Sequence, residues 1–294
     1  MSQKHPIVAV TGSSGAGTST VRRAFESIFR HHRITPVYVA GDGFHRYSRA
    51  NMERAAAQAQ AEGRTLSHFG PEGNLFTELE ALFREYGESG AGWRRYYLHN
   101  AEEVAEYGGD LGEGELTPWE RVPDDSEILF YEGLHGGVVT EKVDVARHVD
   151  LLVGVTPIVN LEWIQKIHRD GDSRGYRRDD SVETIKRRMD DYVEYITPQF
   201  SRTDINFQRV PLVDTSNPFV AREVPSSDES LIVIRFSDAL CAQVDFPKLL
   251  AMLSGSWMSR PNTLVIPGGK LGFAMELIVT PFVQRLIRGE RIRE

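Results

Sequence analysis

Short apolar runs separated by helix-like periods organise this chain. A short and almost continuous apolar run is typical of a strand buried on both faces of a parallel sheet. Such runs occur at residues 7–10, 37–40, 128–133 and 151–155, and further β-like runs follow at residues 209–213, 231–236 and 263–266. The pattern predicts an α/β protein whose early strands are parallel.

Helical periodicity fills the segments between these strands. Residues 21–29 repeat apolar side chains at the spacing of one helix face, and residues 75–86 do the same. Asn74 is expected to cap the second of these helices and Gly87 to end it. Further helices are predicted at residues 50–62, 160–167, 182–195, 246–253 and 274–287.

A glycine-rich loop joins the first strand to the first helix. Its spacing, Gly12-x-x-x-x-Gly17-x-Ser19, matches the loop that cradles phosphates in mononucleotide-binding folds; a plain tight turn is the structural alternative. Thr18 stands where a lysine normally reaches the terminal phosphates, so this loop keeps the cradle and lacks one cation. The predicted nucleotide-binding residues are Gly12, Ser13, Ser14, Gly15, Ala16, Gly17, Thr18, Ser19 and Thr20.

Composition limits the class of protein. The chain has 294 residues, 40% of them hydrophobic, so it can bury a large core, and its net charge of −8 argues against a nucleic-acid binder. The run at residues 7–10 is too short for a signal peptide and no run is long enough to span a bilayer, so we expect a cytoplasmic protein without a membrane partner. The one cysteine, Cys241, is expected to pack as a small apolar residue.

Residues 87–127 break the regular pattern. They are rich in glycine, glutamate and aromatic residues without a clear period, which predicts an irregular insertion. No repeat, low-complexity tract or linker divides the chain. We therefore expect a single domain over residues 1–294, with a C-terminal extension from about residue 216.

Acidic residues stand at the ends of two predicted strands. Glu132 is placed as the metal-side carboxylate of a phosphoryl-transfer enzyme, and Ser19 offers a hydroxyl to the same Mg²⁺. Asp42 is the better candidate for a general base, because the basic residues near it, His45 and Arg49 among them, suit an acceptor phosphate. The structural alternatives are a turn-forming acid and a solvated helix start.

The run from residue 166 to residue 176 is the second chemical signal. Lys166, Arg169 and Arg174 supply cations on a segment punctuated by glycine, as a closing lid requires. Such a lid would stabilise the negative charge of the transition state, which the loop lysine normally stabilises. A charged surface loop laced with local ion pairs is the alternative, which Asp170 and Asp172 favour.

These motifs together resemble the phosphoribulokinase family, most closely its shorter bacterial branch. The resemblance rests on residues 12–20, 41–46, 131–135 and 166–176 and runs through nearly the whole chain. Threonine at the position of Thr18 is usual in that branch. Arg177 and Asp179 depart from the family's lid pattern, in which Ser or Thr and then Glu are favoured.

The resemblance implies a fold and a reaction. The fold is a three-layer α/β fold of the P-loop nucleoside triphosphate hydrolase type with a mixed, largely parallel sheet. The reaction is phosphorylation of ribulose 5-phosphate at its C1 hydroxyl, with ATP and Mg²⁺. The family roles carry over to Asp42 as the base, Glu132, Ser19 and Asp170 near the metal, Lys166 and Arg169 at the transferring phosphoryl group, and His45, Arg49 and Arg174 on the sugar phosphate.

The resemblance also implies a homo-oligomer, up to an octamer, that NADH activates and AMP inhibits. Basic residues outside the core motifs are candidates for binding such anions between subunits, with an ordinary surface arginine as the alternative for each. They are Arg187, Arg188, Arg235 and Arg260. A related uridine or pantothenate kinase and an ATP-sensing regulator without catalysis are the rival functions, and a role in the Calvin cycle goes with the preferred one.

Overall fold

The computed structural model describes residues 5–12, 18–174 and 177–292, and the side chains of residues 18, 19 and 172–174 lie outside that description. The described strands are β1 (Ile7–Gly12), β2 (Pro36–Ala40), β3 (Trp93–Arg94), β4 (Glu120–Arg121), β5 (Ile128–Gly133), β6 (Leu151–Pro157), β7 (Ile205–Pro211), β8 (Ser230–Phe236), β9 (Trp257–Arg260) and β10 (Thr263–Pro267). Residues that are apolar on both faces form β1, β5 and β6, which places these strands at the centre of a sheet.

One mixed sheet forms the centre of the described chain, in the order β2-β5-β1-β6-β7-β8-β10-β9. The pairs from β2 to β7 are parallel, whereas β8 and β10 add antiparallel pairs and β9 forms the outer edge. β3 and β4 make a separate antiparallel ladder. The predicted α/β class with a mixed, largely parallel sheet is confirmed.

Helices cover both faces of the sheet. They are α1 (Thr18–His32), α2 (Arg49–Ala61), α3 (Phe76–Ser89), α4 (Ala101–Tyr107), α5 (Val159–Arg174), α6 (Arg178–Arg187), α7 (Met189–Asp191), α8 (Thr197–Phe200), α9 (Asp238–Cys241), α10 (Phe246–Met252) and α11 (Leu271–Ile287). Single turns of other helical types lie at Gly41–Phe44, Ala146–His148, Tyr192–Ile196 and Gly268–Lys270. Among the helices described here, none is long and apolar enough to cross a membrane.

Two apolar cores, one on each face, give the molecule its three layers. α1 and α11 pack together on one face, where Phe25 and Val279 are fully buried against the strands. α3 covers the other face through Leu79 and Phe83. The helix faces that the apolar periods predict are therefore the faces that the sheet buries.

The boundaries predicted for α3 are wrong at both ends. The helix begins after Leu75, and the amide of Asn74 is bonded to His45, His68 and Gly70 instead of capping the helix. At the other end Gly87 is buried inside the helix, which continues to Ser89. Gly90 ends it with a φ of 74°, a left-handed conformation that glycine adopts without strain.

Other differences follow from tertiary pairing. β7 begins at Ile205, before the predicted run, because the residues that precede the run pair with β6 and β8. β9 was not predicted, since it is an exposed edge strand with little apolar pattern. The predicted insertion contains the β3–β4 ladder and α4. The helix predicted at residues 182–195 is divided into α6, α7 and a π-helical turn.

Candidate active site

The glycine-rich loop leaves the sheet between β1 and α1. β1 ends at Gly12, which is paired with Val155, and a Cβ at Gly12 would collide with the carbonyl oxygen of Val155. Glycine is therefore required where the chain turns away from the sheet. Residues 13–17 and the side chains of Thr18 and Ser19 lie outside the described residues. Their contacts with a nucleotide stay a prediction.

Asp42 and Glu132 lie at neighbouring strand ends on the edge of the sheet where this loop starts. Glu132 is paired with Ala40 of β2, and Asp42 follows Ala40 by two residues in a 3₁₀ turn. The approach of the two strand ends requires glycine, because a Cβ at Gly41 would lie 2.5 Å from the hydroxyl of Tyr131. The carboxyl ends of parallel strands thus bring two acids together, as the strand pattern predicted.

Two histidines hold the carboxylate of Asp42. Nε2 of His45 lies 3.2 Å from Oδ1, and Nε2 of His99 lies 2.9 Å from Oδ2. Burial by itself raises the pKa of Asp42, but the hydrogen bonds from His45 and His99 outweigh it and hold the pKa well below its ordinary value. The bond to Asp42 also raises the pKa of His99, and Glu103 adds to that rise through a contact of 3.0 Å with Nδ1. Asp42 is therefore ionised at neutral pH.

Glu132 has the opposite environment. Burial raises its pKa to about 7, the positive charge of Arg22 opposes that rise, and the negative charge of Asp42 adds to it. Two neighbouring carboxyl groups thus differ strongly in their affinity for a proton. Such a separation is typical of active sites in which two acids have different tasks.

Replacing Glu132 with glutamine should raise the free energy of unfolding at about pH 8 in the absence of magnesium. The pKa of Glu132 rises from 4.5 to about 7 on folding, so its contribution to stability is present below 4.5 and is lost as the pH rises through about 7. The gain has an upper limit of about 3 kcal/mol at about 1.36 kcal/mol per pKa unit, and partial solvation lowers it. Denaturant titrations at about pH 5 and about pH 8 measure it.

Glu183→Gln is the matched control, because the side chain of Glu183 is 74% exposed. It should leave the unfolding free energy nearly unchanged at both pH values. Magnesium should then stabilise the wild type more than Glu132→Gln, since only the wild type keeps the carboxylate. A Glu132→Gln protein no more stable than the wild type at the higher pH would contradict the raised pKa.

α5 carries four of the predicted charged residues, Lys166, Arg169, Asp170 and Arg174. Nζ of Lys166 lies 2.5 Å from Oδ2 of Asp170, and Nε of Arg169 lies 4.0 Å from Oδ1. Burial lowers the pKa of Lys166, against the opposing effect of Asp170. The side chain of Asp170 is only 5% exposed, so the acid of this cluster is withdrawn from water while Arg169 stays partly exposed.

The helix predicted at residues 160–167 is longer in the structure and takes in most of the glycine-punctuated run predicted at residues 166–176. The helix continues through Gly171 to Arg174, because Ile164 and Ile167 anchor its buried face and Lys166 pairs with the acid one turn later. Residues 175 and 176 and the side chain of Arg174 lie outside the described residues. Lys166 and Arg169, which were predicted to lie on a lid, therefore project from a helix.

The basic residues after β2 have different partners. Arg46 donates to the carbonyl oxygens of Glu72 and Asn74, which is a structural task. Nη2 of Arg49 donates to the carbonyl oxygen of His99 at 2.9 Å. His45 faces Asp42, so the structure brings His45 and Arg49 to the surroundings of the predicted base.

The predicted insertion supplies the site residues that sequence reasoning missed. His99, which lies in this insertion, bonds Asp42 directly. Glu103 bonds His99 and so acts on Asp42 through it. Oδ1 of Asn100 accepts from the backbone N–H of Glu103 at 3.0 Å, which caps α4 and fixes the start of that helix. The Asn100-x-x-Glu103 spacing is a helix-start signal that would have pointed to an ordered element here.

Arg95, also from the insertion, fastens the turn that carries Asp42. Its Nε donates to the carbonyl oxygen of Gly43 at 2.8 Å, and its Nη2 donates to that of His45 at 2.6 Å. The guanidinium lies 4.6 Å from the ring centre of Trp119. A half-buried cation thus holds, at two points, the backbone that follows the predicted base.

The described donors fit Mg²⁺ bound with a nucleotide. Within residues 5–12, 18–174 and 177–292 no group of three or more His, Cys, Asp or Glu is arranged to hold a metal ion. Glu132 offers oxygen at the edge where the glycine-rich loop starts, whereas Asp170 is bonded to Lys166. Mg²⁺ usually takes one or two carboxylates and completes its shell with phosphate and water, and this donor set fits that habit.

Comparison with known proteins gives a consistent result. The family model described as "Phosphoribulokinase / Uridine kinase family" matches residues 7–216. The chain is 56% identical to the chromosomal phosphoribulokinase of Cupriavidus necator, over 98% of this chain and 97% of that protein. It is also 56% identical to the probable phosphoribulokinase of Escherichia coli, over 99% of this chain and 100% of that protein. The solved phosphoribulokinase from Rhodobacter spheroides superposes with a TM-score of 0.88 at 50% identity, over 97% of this chain and 98% of that chain.

Proposed function

This chain belongs to the phosphoribulokinase and uridine kinase family and is a kinase, and we propose that it phosphorylates ribulose 5-phosphate with ATP. The products are ribulose 1,5-bisphosphate and ADP. The observation that carries the proposal is the carboxylate of Asp42, held ionised between two histidines at the strand edge where the glycine-rich loop starts. Relatives named phosphoribulokinase that match over nearly their whole length support the acceptor.

Asp42 is the general base in this proposal. It takes the proton of the C1 hydroxyl as that oxygen attacks the γ-phosphorus of ATP and the bond to the leaving ADP breaks. Each carboxylate oxygen has a second lone pair, so Asp42 can accept the hydroxyl while His45 and His99 stay bonded. A base of low pKa suits this reaction, because little negative charge builds up on the attacking oxygen in a loose transition state.

The remaining roles divide between the two substrates. The loop from Gly12 to Thr20 cradles the ATP phosphates, and Ser19, Glu132 and Asp170 are the proposed magnesium ligands. Magnesium, when bound, neutralises charge on the β- and γ-phosphates. Lys166 and Arg169 stabilise the transferring group, and His45, Arg49 and Arg174 hold the sugar phosphate.

A coupled assay of ADP release tests the proposal. Ribulose 5-phosphate should give rapid ADP release, whereas uridine, pantothenate and a reaction without acceptor should give little. Faster turnover with uridine or pantothenate would assign the chain to that branch of the family. ATP binding without ADP release for any acceptor would favour an ATP-sensing regulator, although such a protein has no need of a base like Asp42.

We further propose a cytoplasmic homo-oligomer, an octamer in its full form, whose rate responds to NADH and AMP and whose product enters the Calvin cycle. Arg235 pairs across the sheet with Thr263, which pairs with Arg260, so these two arginines share one face at the outer strands. Arg187 instead donates to the side chain of Gln60 in α2. The outer-strand pair is the better candidate for an effector anion between subunits, because Arg260 is exposed on the edge strand β9.

Light scattering and an NADH titration against rate should show an oligomer that NADH activates about fivefold or more. Arg260→Gln should weaken that response while leaving the rate without effector unchanged. Arg121→Gln, at an exposed arginine of β4, is the control and should respond as the wild type does. A monomer whose rate is indifferent to NADH would refute the oligomer and the effector together.

A further inference from the structure

Asn74 lies beneath the acceptor side of the site with its amide group fully engaged. Its Nδ2 donates to the carbonyl oxygens of His68 at 2.9 Å and of Gly70 at 2.8 Å. Backbone carbonyls only accept, so these two bonds fix which end of the amide is nitrogen. Oδ1 therefore points at Nδ1 of His45, 3.0 Å away. Both side chains are buried, with relative exposures of 2% for Asn74 and 7% for His45.

This orientation decides where His45 carries hydrogen. An amide oxygen only accepts, so Nδ1 of His45 must carry N–H. The neutral ring then has a bare lone pair on Nε2, which faces Oδ1 of Asp42 at 3.2 Å. Nε2 becomes a donor to Asp42 only when the ring takes a second hydrogen, and with it a full positive charge.

We propose that Asn74 is a positioning residue that keeps hydrogen on Nδ1 of His45, so that the N–H offered at Nε2 always carries positive charge. The inference rests on the proposed function, in which the sugar phosphate shares the Nε2 N–H that faces Asp42 in this structure. A histidine free to choose its tautomer would still donate from Nε2 after losing its charge. His45 loses the N–H at Nε2 and its positive charge in one step. Its Nε2 N–H therefore favours an anionic hydrogen-bond partner over a neutral one.

The groups around His45 are consistent with this role. The ring of His68 lies 4.3 Å from that of His45, and the ring of Tyr97 lies 5.8 Å from it. Burial lowers the pKa of His68 and that of His135 to about 3, so both rings are neutral and do not replace the charge of His45. Arg95 donates to the backbone carbonyl of His45 and leaves its ring free to meet Asp42.

Two substitutions of Asn74 separate the tautomer from the loop that the amide supports. Asn74→Leu removes the acceptor for Nδ1 and the two bonds to the loop. Asn74→Asp keeps an acceptor for Nδ1, and with it the hydrogen on Nδ1, but puts an oxygen against the carbonyls of His68 and Gly70, so it weakens the loop without releasing the tautomer. A purely structural Asn74 would make the two variants behave alike.

Ring ¹⁵N NMR of the full chain reads the tautomer directly, with the His45 signals assigned from a His45→Gln protein. We expect hydrogen on Nδ1 at every pH in the wild type and in Asn74→Asp. In Asn74→Leu the neutral ring should carry its hydrogen on Nε2, the form that free histidine prefers. A neutral wild-type ring with hydrogen on Nε2 alone would overturn the proposal, and wild-type spectra give this answer even if Asn74→Leu fails to fold.

Kinetics supply the second measurement. The KM for ribulose 5-phosphate should rise about tenfold in Asn74→Leu near neutral pH, the size of one charge-assisted hydrogen bond, with a smaller change in kcat. An equal rise in both variants would reduce Asn74 to loop support. If the wild type does not use ribulose 5-phosphate, the proposed function fails, while the NMR result still decides the tautomer.

Discussion

Replacing Asp42 with asparagine should lower kcat by about 10²- to 10⁴-fold, the usual contribution of a positioned general base. Asparagine keeps the size of the side chain and an acceptor for one histidine, but it cannot take the proton of the acceptor hydroxyl. The KM for ATP should change little, since the contacts described for Asp42 are with His45 and His99. Steady-state rates of ADP release with ribulose 5-phosphate measure both quantities.

Asp245→Asn is the matched control for this change. Asp245 caps α10 by accepting from the backbone N–H of Lys248, a task that asparagine performs equally well. That variant should retain the wild-type kcat. Near-full turnover by Asp42→Asn would remove Asp42 from the mechanism, and a large rise in the KM for ATP would assign it to nucleotide binding instead.

Replacing Lys166 with methionine should lower kcat by about 10²- to 10³-fold, the cost of one lost transition-state donor. The glycine-rich loop has Thr18 where a lysine normally stabilises the β- and γ-phosphates, so another cation must meet that charge. Lys166 is paired with Asp170 and has 19% of its side chain exposed. In the proposed mechanism it turns toward the transferring group when both substrates are bound, which limits ATP hydrolysis without acceptor.

Three further variants test this assignment. Arg169→Gln should behave like Lys166→Met, whereas Lys186→Met, at an exposed lysine of α6 paired with Glu183, should keep the wild-type rate. Thr18→Lys should partly restore turnover to Lys166→Met and raise ATP hydrolysis in the absence of acceptor. If Lys166→Met changes only the KM for ATP, a group other than Lys166 stabilises the charge on the transferring phosphoryl group.

The sequence by itself determined the framework of the site. The runs at residues 7–10 and 128–133 predicted parallel strands, and the strand-end positions of Asp42 and Glu132 predicted that the two acids would meet at one edge. These inferences hold because they depend on local order. A short apolar run with few polar interruptions favours a strand buried on both faces of a parallel sheet, and the carboxyl ends of parallel strands lie at the same edge.

Only the tertiary structure decided the surroundings of those acids. His99 reaches Asp42 across 57 positions of sequence, from a segment whose pattern predicted no regular element. Asn74 lies where a helix cap was expected, but its amide oxygen bonds His45 and its amide nitrogen donates to two backbone carbonyl groups. Side-chain hydrogen bonds of this range leave no period in the sequence, because they depend on how separate segments pack and not on the order of residues within one segment.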